Sequence, residues 1–524
     1  MRLTSFLAEI FARHPRWSAF SLGIVSALGF RPLGFWPLTL IATGILLWLV
    51  ADTRRVRDAA VLGWLFGWGH FTLGNNWIAT AFTYQAEMPA ALGWAAVPVL
   101  ALYLAVYPSV AAAGARALAG QGMRWPLAVA FAGCWIVAEW LRGWIFTGYA
   151  WNPLGIVLLG DFQSQGLAAL APWLGTYGLS GLAAGIAGAG ALFVAKRYWL
   201  PLGVLAAVLL AVPFLPAPAA RLSSLPLTLV QPDVRQNDLN DASQYEAQFS
   251  RIASLSLPKQ PGATRLVLWP ESGVPDYLQD GYPQHFYDQM TAGRDPAFAR
   301  GRIGRVIGPG SLLMTGAVDL EITQGQVVGA RNVVTAIDDT GRIRASYAKA
   351  HLVPYGEYLP LRWLLEPLGA SRLVAGALDF WPGPGPRTLD LGAWGQAGIQ
   401  ICYEITFSGE VVDRDHRPQY IFNPSNDGWF GNWGPPQHLA QARLRAMEEG
   451  LPVLRATTTG ISAVIDAHGI VRAHVAPFQA GRIDTKVPEA LPPTPFARLG
   501  NVLPLCWATV LILLALVARQ RRRG

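Results

Sequence analysis

Apolar stretches recur at about 17–30, 37–50, 59–80, 89–115, 125–141, 164–195 and 198–215, and a last one lies near 500–518. Crossing the hydrocarbon core of a bilayer takes roughly 20 apolar residues, so the first two stretches are short taken singly. The connections between stretches support them. Every second one carries a basic cluster: Arg2/Arg13/Arg16, Arg54/Arg55/Arg57, Arg116/Arg124, Lys196/Arg197 and Arg519/Arg521/Arg522/Arg523. The intervening connections hold almost only Arg31 and Arg142. Cytoplasmic loops of membrane proteins carry the Lys/Arg excess. The pattern therefore predicts about seven helical spans with a cytoplasmic N-terminus, a polar segment outside, and one closing span that returns an Arg-rich tail to the cytoplasm. No small-residue cleavage site follows the first stretch, so it is expected to stay in the mature chain.

The charge balance agrees. Only 14% of the 524 residues are charged, against roughly a quarter in soluble domains, which excludes an ordinary cytosolic enzyme and a disordered chain. A net charge of +8 would by itself raise nucleic acid as a partner. Residues 1–215, however, hold 12 basic and 6 acidic residues, residues 216–498 hold 25 and 27, and residues 499–524 hold 4 and 0. The excess sits beside the apolar segments, so no nucleic-acid partner is expected. Three parts follow: a membrane domain over 1–215, an extracytoplasmic domain over 216–498, and a closing helix with its tail over 499–524. Pro213, Pro216 and Pro218 mark the exit from the membrane, and Pro492, Pro493 and Pro495 the re-entry.

Within the polar segment, Leu227–Val230 and Arg265–Trp269 read as strands. Asn332–Asp338 and Arg342–Tyr347 flank the hairpin signal Asp339-Thr340-Gly341. Gly398–Tyr403, Tyr420–Phe422, Val453–Thr458 and Ile461–Ile465 read as further strands. His438 to Glu449 reads as a helix with Leu439, Ala442 and Ala446 along one face. Strands alternating with helices predict a layered α/β domain. Three polar residues follow strands: Glu271, Lys349 and Cys402. Ligands gather where strands of such domains end, so the three can converge. A carboxylate raised by burial can take the proton of a thiol, and an ammonium with backbone N–H groups can hold an oxyanion.

Each residue also has a plainer reading. Cys402 is the only cysteine of the polar segment; Cys134 and Cys506 lie in apolar stretches. An unpaired thiol in an oxidising compartment is either a buried core residue or a nucleophile. Lys349 is one of four lysines against 37 arginines, which favours a special role over a surface ion pair. A Cys–His site built with His351 or His438 is equally compatible with the spacing. No His/Cys cluster stands at metal-ligand spacing, so neither metal nor cofactor is expected.

The motifs Trp269–Ser272 (WPES), Tyr347–Pro360 (YAKAHLVPYGEYLP) and Ile401–Glu404 (ICYE) closely resemble the Glu-Lys-Cys motifs of the nitrilase, or carbon-nitrogen hydrolase, superfamily. Together with the membrane spans, they resemble more narrowly its apolipoprotein N-acyltransferase family. The resemblance covers nearly the whole chain and includes the stretch Asn423–Gly431 and the helix with Gln437, His438, Arg443 and Arg445. It implies an α-β-β-α sandwich outside a multi-span helical domain, with Glu271 as general base, Lys349 as oxyanion stabiliser and Cys402 as nucleophile. Glu357 matches a second carboxylate near the site, or only a loop carboxylate that positions Lys349. Tyr403 and Glu404 match the residues flanking the nucleophile, with the Tyr403 N–H expected at the oxyanion. Trp429 and Phe430 match a mobile entrance loop.

In the membrane part, Asn76, Trp77, Glu139, Arg142 and Trp151 fall in stretches resembling family motifs. Glu139 and Arg142 are expected either to pair with each other or to meet lipid. Two departures stand out: Leu239-Asn240 where the family often has Lys-Trp, and Thr458-Thr459 before Gly460.

The resemblance implies acyl transfer from a phospholipid, by analogy phosphatidylethanolamine, through a Cys402 thioester. The acceptor is the α-amino group of a diacylglyceryl-cysteine at an apolipoprotein N-terminus. It also implies a bacterial inner-membrane enzyme with its catalytic domain in the periplasm, and the chain is expected to act as a monomer. The alternatives are a membrane-tethered nitrilase or amidase acting on small carbon–nitrogen substrates, and a non-catalytic membrane scaffold or transporter.

Overall fold

The computed structural model describes residues 13–84, 89–239, 241–365, 367 and 379–521, without the side chains of residues 364 and 365. Arg2, Arg522, Arg523 and Asn240, named above, lie outside the described residues. The apolar stretches form helices: α1 (Pro15–Ala27), α2 (Trp36–Asp52), α3 (Val56–Gly74), α4 (Ala91–Ala119), α5 (Trp125–Arg142), α6 (Ala171–Lys196) and α7 (Trp199–Ala211). Several carry proline in the first turn, where an N–H would have no helical partner. Helices Ala91–Ala119, Leu167–Lys196 and Val502–Gln520 are long and apolar enough to cross a membrane, whereas Trp36–Asp52 and Trp199–Phe214 are shorter apolar helices. Helices α1 and α3 meet through glycine. A Cβ on Gly23 would lie 2.0 Å from the Phe66 carbonyl oxygen, and one on Gly69 2.2 Å from that of Phe20. Small residues let helix backbones approach this closely.

The basic connections gather at one end of this bundle. Arg116 donates to the Thr53 and Arg54 carbonyls, Arg519 to that of Leu118, and the Gly122 N–H to that of Ala51. At the opposite end, Arg31 meets Asp161 at 2.8 Å and Arg142 donates to the Trp151 carbonyl. The expected stretch 59–80 is broken there: α3 stops at Gly74, and the turn at Asn75 is held by the Tyr149 hydroxyl.

The polar segment forms two six-stranded sheets. The first runs in the order β12-β1-β2-β3-β4-β5 and the second β11-β10-β9-β8-β7-β6. Their strands are β1 (Leu222–Gln231), β2 (Leu266–Leu268), β3 (Leu312–Thr323), β4 (Gln326–Asp338), β5 (Ile343–Ala348), β6 (Thr388–Asp390), β7 (Gln396–Ile399), β8 (Tyr420–Ser425), β9 (Val453–Thr457), β10 (Ser462–Ile465), β11 (Val471–Val475) and β12 (Gly481–Pro488). Leu229, Leu268, Met314 and Val334 from one sheet pack with Ile399, Phe422, Leu454 and Val464 from the other. On the outer face of the first sheet lie α8 (Tyr245–Ser256) and α9 (Pro296–Ile307), through Ile252, Ile303 and Ile307. On that of the second lies α10 (Gly434–Glu449). The α-β-β-α sandwich expected from sequence is therefore present. A closing helix, α11 (Val502–Gln520), returns to the bundle and packs on α5 and α6.

One element differs. Gly398–Tyr403 reads as a strand, but β7 stops at Ile399 and a single tight turn, Cys402–Thr406, follows. Gln400 still donates to Phe422 in the ladder, and then Glu404 Oε2 takes the Ile401 N–H at 2.7 Å. That side-chain acceptor replaces a neighbouring strand and pulls the chain out of the sheet.

Helix α10 joins the two halves. Leu439, Ala442 and Ala446 face the sheet, as the sequence periodicity implies, while Ala440, Leu444 and Met447 enter the core of the membrane bundle. Its buried Arg443 donates to the carbonyls of Gly160, Asp161 and Ser164 in the bundle and Gly469 in the sandwich. Arg443→Met leaves these carbonyls without their donor and should cost on the order of 3 kcal/mol. A lowered thermal unfolding midpoint in detergent is expected, and an unchanged one would contradict this role.

Candidate active site

Glu271, Lys349 and Cys402 converge at one end of the sandwich. Glu271 comes three residues after β2, Lys349 directly after β5, and Cys402 three residues after β7. All three are buried, with exposures of 7%, 1% and 5%. The turn carrying Glu271 lies against β3 because residue 316 is glycine: a Cβ there would sit 2.6 Å from the Glu271 Cα. Cys402 has φ +51°, in the left-handed region that costs an ordinary residue about 1–3 kcal/mol. Such strain persists only where the surroundings hold it.

Lys349 Nζ lies 3.0 Å from Glu357 Oε1 and 3.5 Å from Glu271 Oε1. Asn332 Nδ2 donates to both carboxylates, at 2.7 Å to Glu271 and 3.0 Å to Glu357. The second oxygen of Glu271 accepts the Asn426 N–H at 2.8 Å, and that of Glu357 accepts the Val353 N–H at 2.7 Å. Each carboxylate is thus pinned at both oxygens. Burial alone would lower the Lys349 pKa, but the Glu357 and Glu271 carboxylates outweigh it and hold the ammonium well above its ordinary value. Burial and then the Glu271 carboxylate push the Cys402 thiol well up, while Lys349 and the Asn426 N–H pull against them. At neutral pH this is a protonated thiol beside a carboxylate acceptor and a permanent cation. Such a set can transfer an acyl group through the thiol.

Glu404 supports the site from behind. Its Oε1 accepts from the Tyr347 hydroxyl and from the Ala350 and His351 N–H groups, and its Oε2 from Ile401. One carboxylate therefore ties the Lys349 segment to the Cys402 turn. Burial raises its pKa to about 7 against those N–H groups and Lys349. Neither candidate histidine spends its ring nitrogens on the thiol. His351 bonds the Thr147 carbonyl and stacks on Phe407 at 3.5 Å, and His438 bonds the Cys402 carbonyl through Nε2 and meets Arg455 through Nδ1. The Cys–His alternative has no geometric support.

The Trp429–Phe430 segment and the membrane-side candidates meet. The Phe430 ring lies 4.7 Å from Trp77 and 5.5 Å from Trp151, and Trp429 lies 5.8 Å from Tyr84. The Trp151 indole N–H donates to Gln437. The Tyr403 hydroxyl donates to the Gly148 carbonyl across the same junction. Asn76 is half-buried in the turn after α3, where its neighbour Asn75, not Asn76, accepts from Tyr149.

The expected Glu139–Arg142 pair does not form. Glu139 Oε1 accepts from the Trp135 indole and the Leu154 N–H, and Arg142 reaches forward to the Trp151 carbonyl. Arg142, the last residue of α5, thus spends its guanidinium on that carbonyl and lies over the Phe71 ring at 5.1 Å. Thr458 bonds Asn426 and Thr459 bonds Asp233, so this departure builds the wall beside Asn426. Leu239 closes a short helix, Gln236–Leu239, after β1.

A family model described as apolipoprotein N-acyltransferase N-terminal domain matches residues 22–189, and one described as carbon-nitrogen hydrolase matches residues 227–490. An apolipoprotein N-acyltransferase of Rhodopseudomonas palustris is 34% identical over 527 residues, covering 96% of this chain and 94% of the relative. The chain belongs to the apolipoprotein N-acyltransferase family. The enzyme of that name from Brucella suis biovar 1 is 32% identical over 531 residues, with 96% and 94% covered. Among solved structures, a mutant amidase from Nesterenkonia sp. AN1 is similar with a TM-score of 0.35 and 18% identity, over 55% of this chain and 96% of that one. Nit3 of Saccharomyces cerevisiae gives 0.36 and 18%, over 52% and 93%. With three helices among the described residues able to cross a bilayer, this member of the family is a membrane protein.

Sequence reasoning missed Asn332 and Asn426. Asn332 reads only as the polar first residue of an apolar strand, and Asn426 acts through its backbone, which no side-chain pattern reveals.

The electrostatics can be tested on the thiol. Lys349→Met should move the pH profile of Cys402 alkylation by iodoacetamide to higher pH, and Glu271→Gln should move it to lower pH. Coincident profiles for wild type and both variants would contradict the arrangement.

Proposed function

We propose that this chain transfers an acyl group from a phospholipid, through a thioester on Cys402, to the α-amino group of the N-terminal diacylglyceryl-cysteine of apolipoproteins. The observation that carries the reading is the buried thiol flanked by a pinned carboxylate and a permanently charged lysine, at the junction of the sandwich and a membrane bundle. The relatives' name supports the substrate class, and phosphatidylethanolamine is the proposed donor. In this reading residues 1–215 and 499–524 are the membrane part and residues 216–498 the catalytic domain. The basic ends of the helices face the cytoplasm of a bacterial inner membrane, both termini included, with the catalytic domain periplasmic and the chain monomeric.

Glu271 takes the proton of Cys402, and the thiolate attacks the ester carbonyl of the donor. The negative charge that develops on the carbonyl oxygen is met by the Lys349 ammonium and the Tyr403 N–H. The intermediate collapses, the C–O bond breaks, and the proton on Glu271 passes to the departing lysophospholipid alkoxide. The α-amino group of the acceptor then attacks the thioester carbonyl and gives its proton to Glu271. The C–S bond breaks, an amide remains, and the Cys402 thiolate recovers its proton. Glu357 holds Lys349 in place throughout. Trp429 and Phe430, packed on Trp77, Tyr84 and Trp151, form the entrance through which both lipids arrive laterally from the bilayer. Asn76, Glu139 and Arg142 shape the wall of that entrance.

Incubating the enzyme with phospholipid and measuring intact mass should give one added acyl chain on the wild type, lysophospholipid in the lipid fraction, and no adduct on Cys402→Ala. Glu271→Gln should form the adduct about 100- to 10,000-fold more slowly. An adduct on Cys402→Ala, or none on the wild type, would contradict the reading, as would ammonia release from small amides in place of acylation.

A further inference from the structure

Helix α10 brings a further group to the backbone of Cys402. His438 is fully buried, and its Nε2 lies 3.1 Å from the carbonyl oxygen of Cys402. Its Nδ1 lies 3.1 Å from Asp427 Oδ1 and 3.0 Å from Arg455 Nη2. Arg455 in turn donates to both oxygens of Asp427, at 2.8 and 2.7 Å. The ring is held between Trp151, at 5.2 Å, and Phe430, at 5.6 Å. A carbonyl oxygen only accepts hydrogen bonds, so Nε2 carries a proton and donates it to Cys402.

The consequence lies across the peptide bond. The Cys402–Tyr403 peptide is trans. Its C=O and N–H therefore share one plane and point in opposite directions. Gripping the carbonyl from one side fixes where the Tyr403 N–H points on the other. That N–H has no hydrogen-bond partner among the described residues. Cys402 itself sits at φ +51°, a conformation that needs support from its surroundings.

We propose that His438 is a positioning residue for acyl transfer: by donating to the Cys402 carbonyl it holds the Cys402–Tyr403 peptide so that the Tyr403 N–H meets the oxyanion of each tetrahedral intermediate. This rests on the acyl-enzyme reading and deepens it. Arg455 acts one step further back by donating to the other ring nitrogen, and Asp427 by holding Arg455. The clamp matters only where an oxyanion develops. Thioester formation passes through one, whereas alkylation of the same thiol by iodoacetamide, a direct displacement at carbon, does not.

The test compares those two rates by intact mass in the full-length enzyme, for wild type, His438→Leu and His438→Gln. The glutamine amide can place an N–H near the position of the imidazole Nε2. His438→Leu should form the thioester about 100-fold more slowly, the loss of one oxyanion donor, while its alkylation rate stays within about twofold of wild type. The loss should fall on kcat with KM for phospholipid unchanged, and His438→Gln should recover most of it. Should His438→Leu fail to fold, Asp427→Asn is expected to slow acylation without slowing alkylation, since the Asp427 charge raises the Cys402 pKa. Equal losses in both rates, acylation by His438→Leu at the wild-type rate, or no recovery in His438→Gln would overturn the proposal. A wild type that alkylates normally but never acylates would remove the acyl-enzyme reading, and the clamp with it.

Discussion

A helix buried on every side ties this molecule together. Helix α10 carries polar and charged residues along much of its length, yet nearly all of them are buried. Gln437, His438, Arg443, Arg445 and Glu448 are tolerated because each reaches a partner in another part of the chain, whereas the buried Gln441 amide has none among the described residues. Gln437 spans from the Trp151 indole to the Arg31 and Gly74 carbonyls. Arg445 pairs with Glu448 and reaches Thr176 and Thr406, and Glu448 accepts from the Thr176 N–H and Ser408. Burying such groups without partners would cost several kcal/mol each. The bundle and the sandwich are therefore held at one mutual position, and the Cys402 thiol is held beside the bundle.

The site uses the same economy. One ammonium serves two carboxylates, and Asn332 bridges the same two oxygens. The nucleophile's own backbone is held by Glu404 at one end of its turn and His438 at its carbonyl. Aromatic rings from both halves close the space above it, with Phe430 touching Trp77, Trp151 and His438.

Much of this was legible in the sequence, for identifiable reasons. The helices could be read because they fall where the apolar stretches do, and among the described residues three of them are long and apolar enough to cross a membrane. Glu271, Lys349 and Cys402 could be read because short strands precede each of them and because the motifs are distinctive. The end of β7 could not be read, since GIQICY is apolar throughout and the break is made by the carboxylate of Glu404, which lies beyond it. The Glu139–Arg142 pair failed because spacing along a helix says which residues are neighbours, not that Trp135, Leu154 and Trp151 compete for them. Asn426 and the His438 clamp act through main-chain atoms, which leave no side-chain signature.

The central claim is that the acyl chain rests on Cys402 between donor and acceptor. It is tested most directly by isolating the enzyme after exposure to phospholipid, removing all free lipid, and adding a diacylglyceryl-cysteine peptide. The peptide should become N-acylated in a single turnover as the mass of the enzyme falls back by one acyl chain. Acylation that occurs only while phospholipid is still present, with the enzyme mass unchanged, would contradict it.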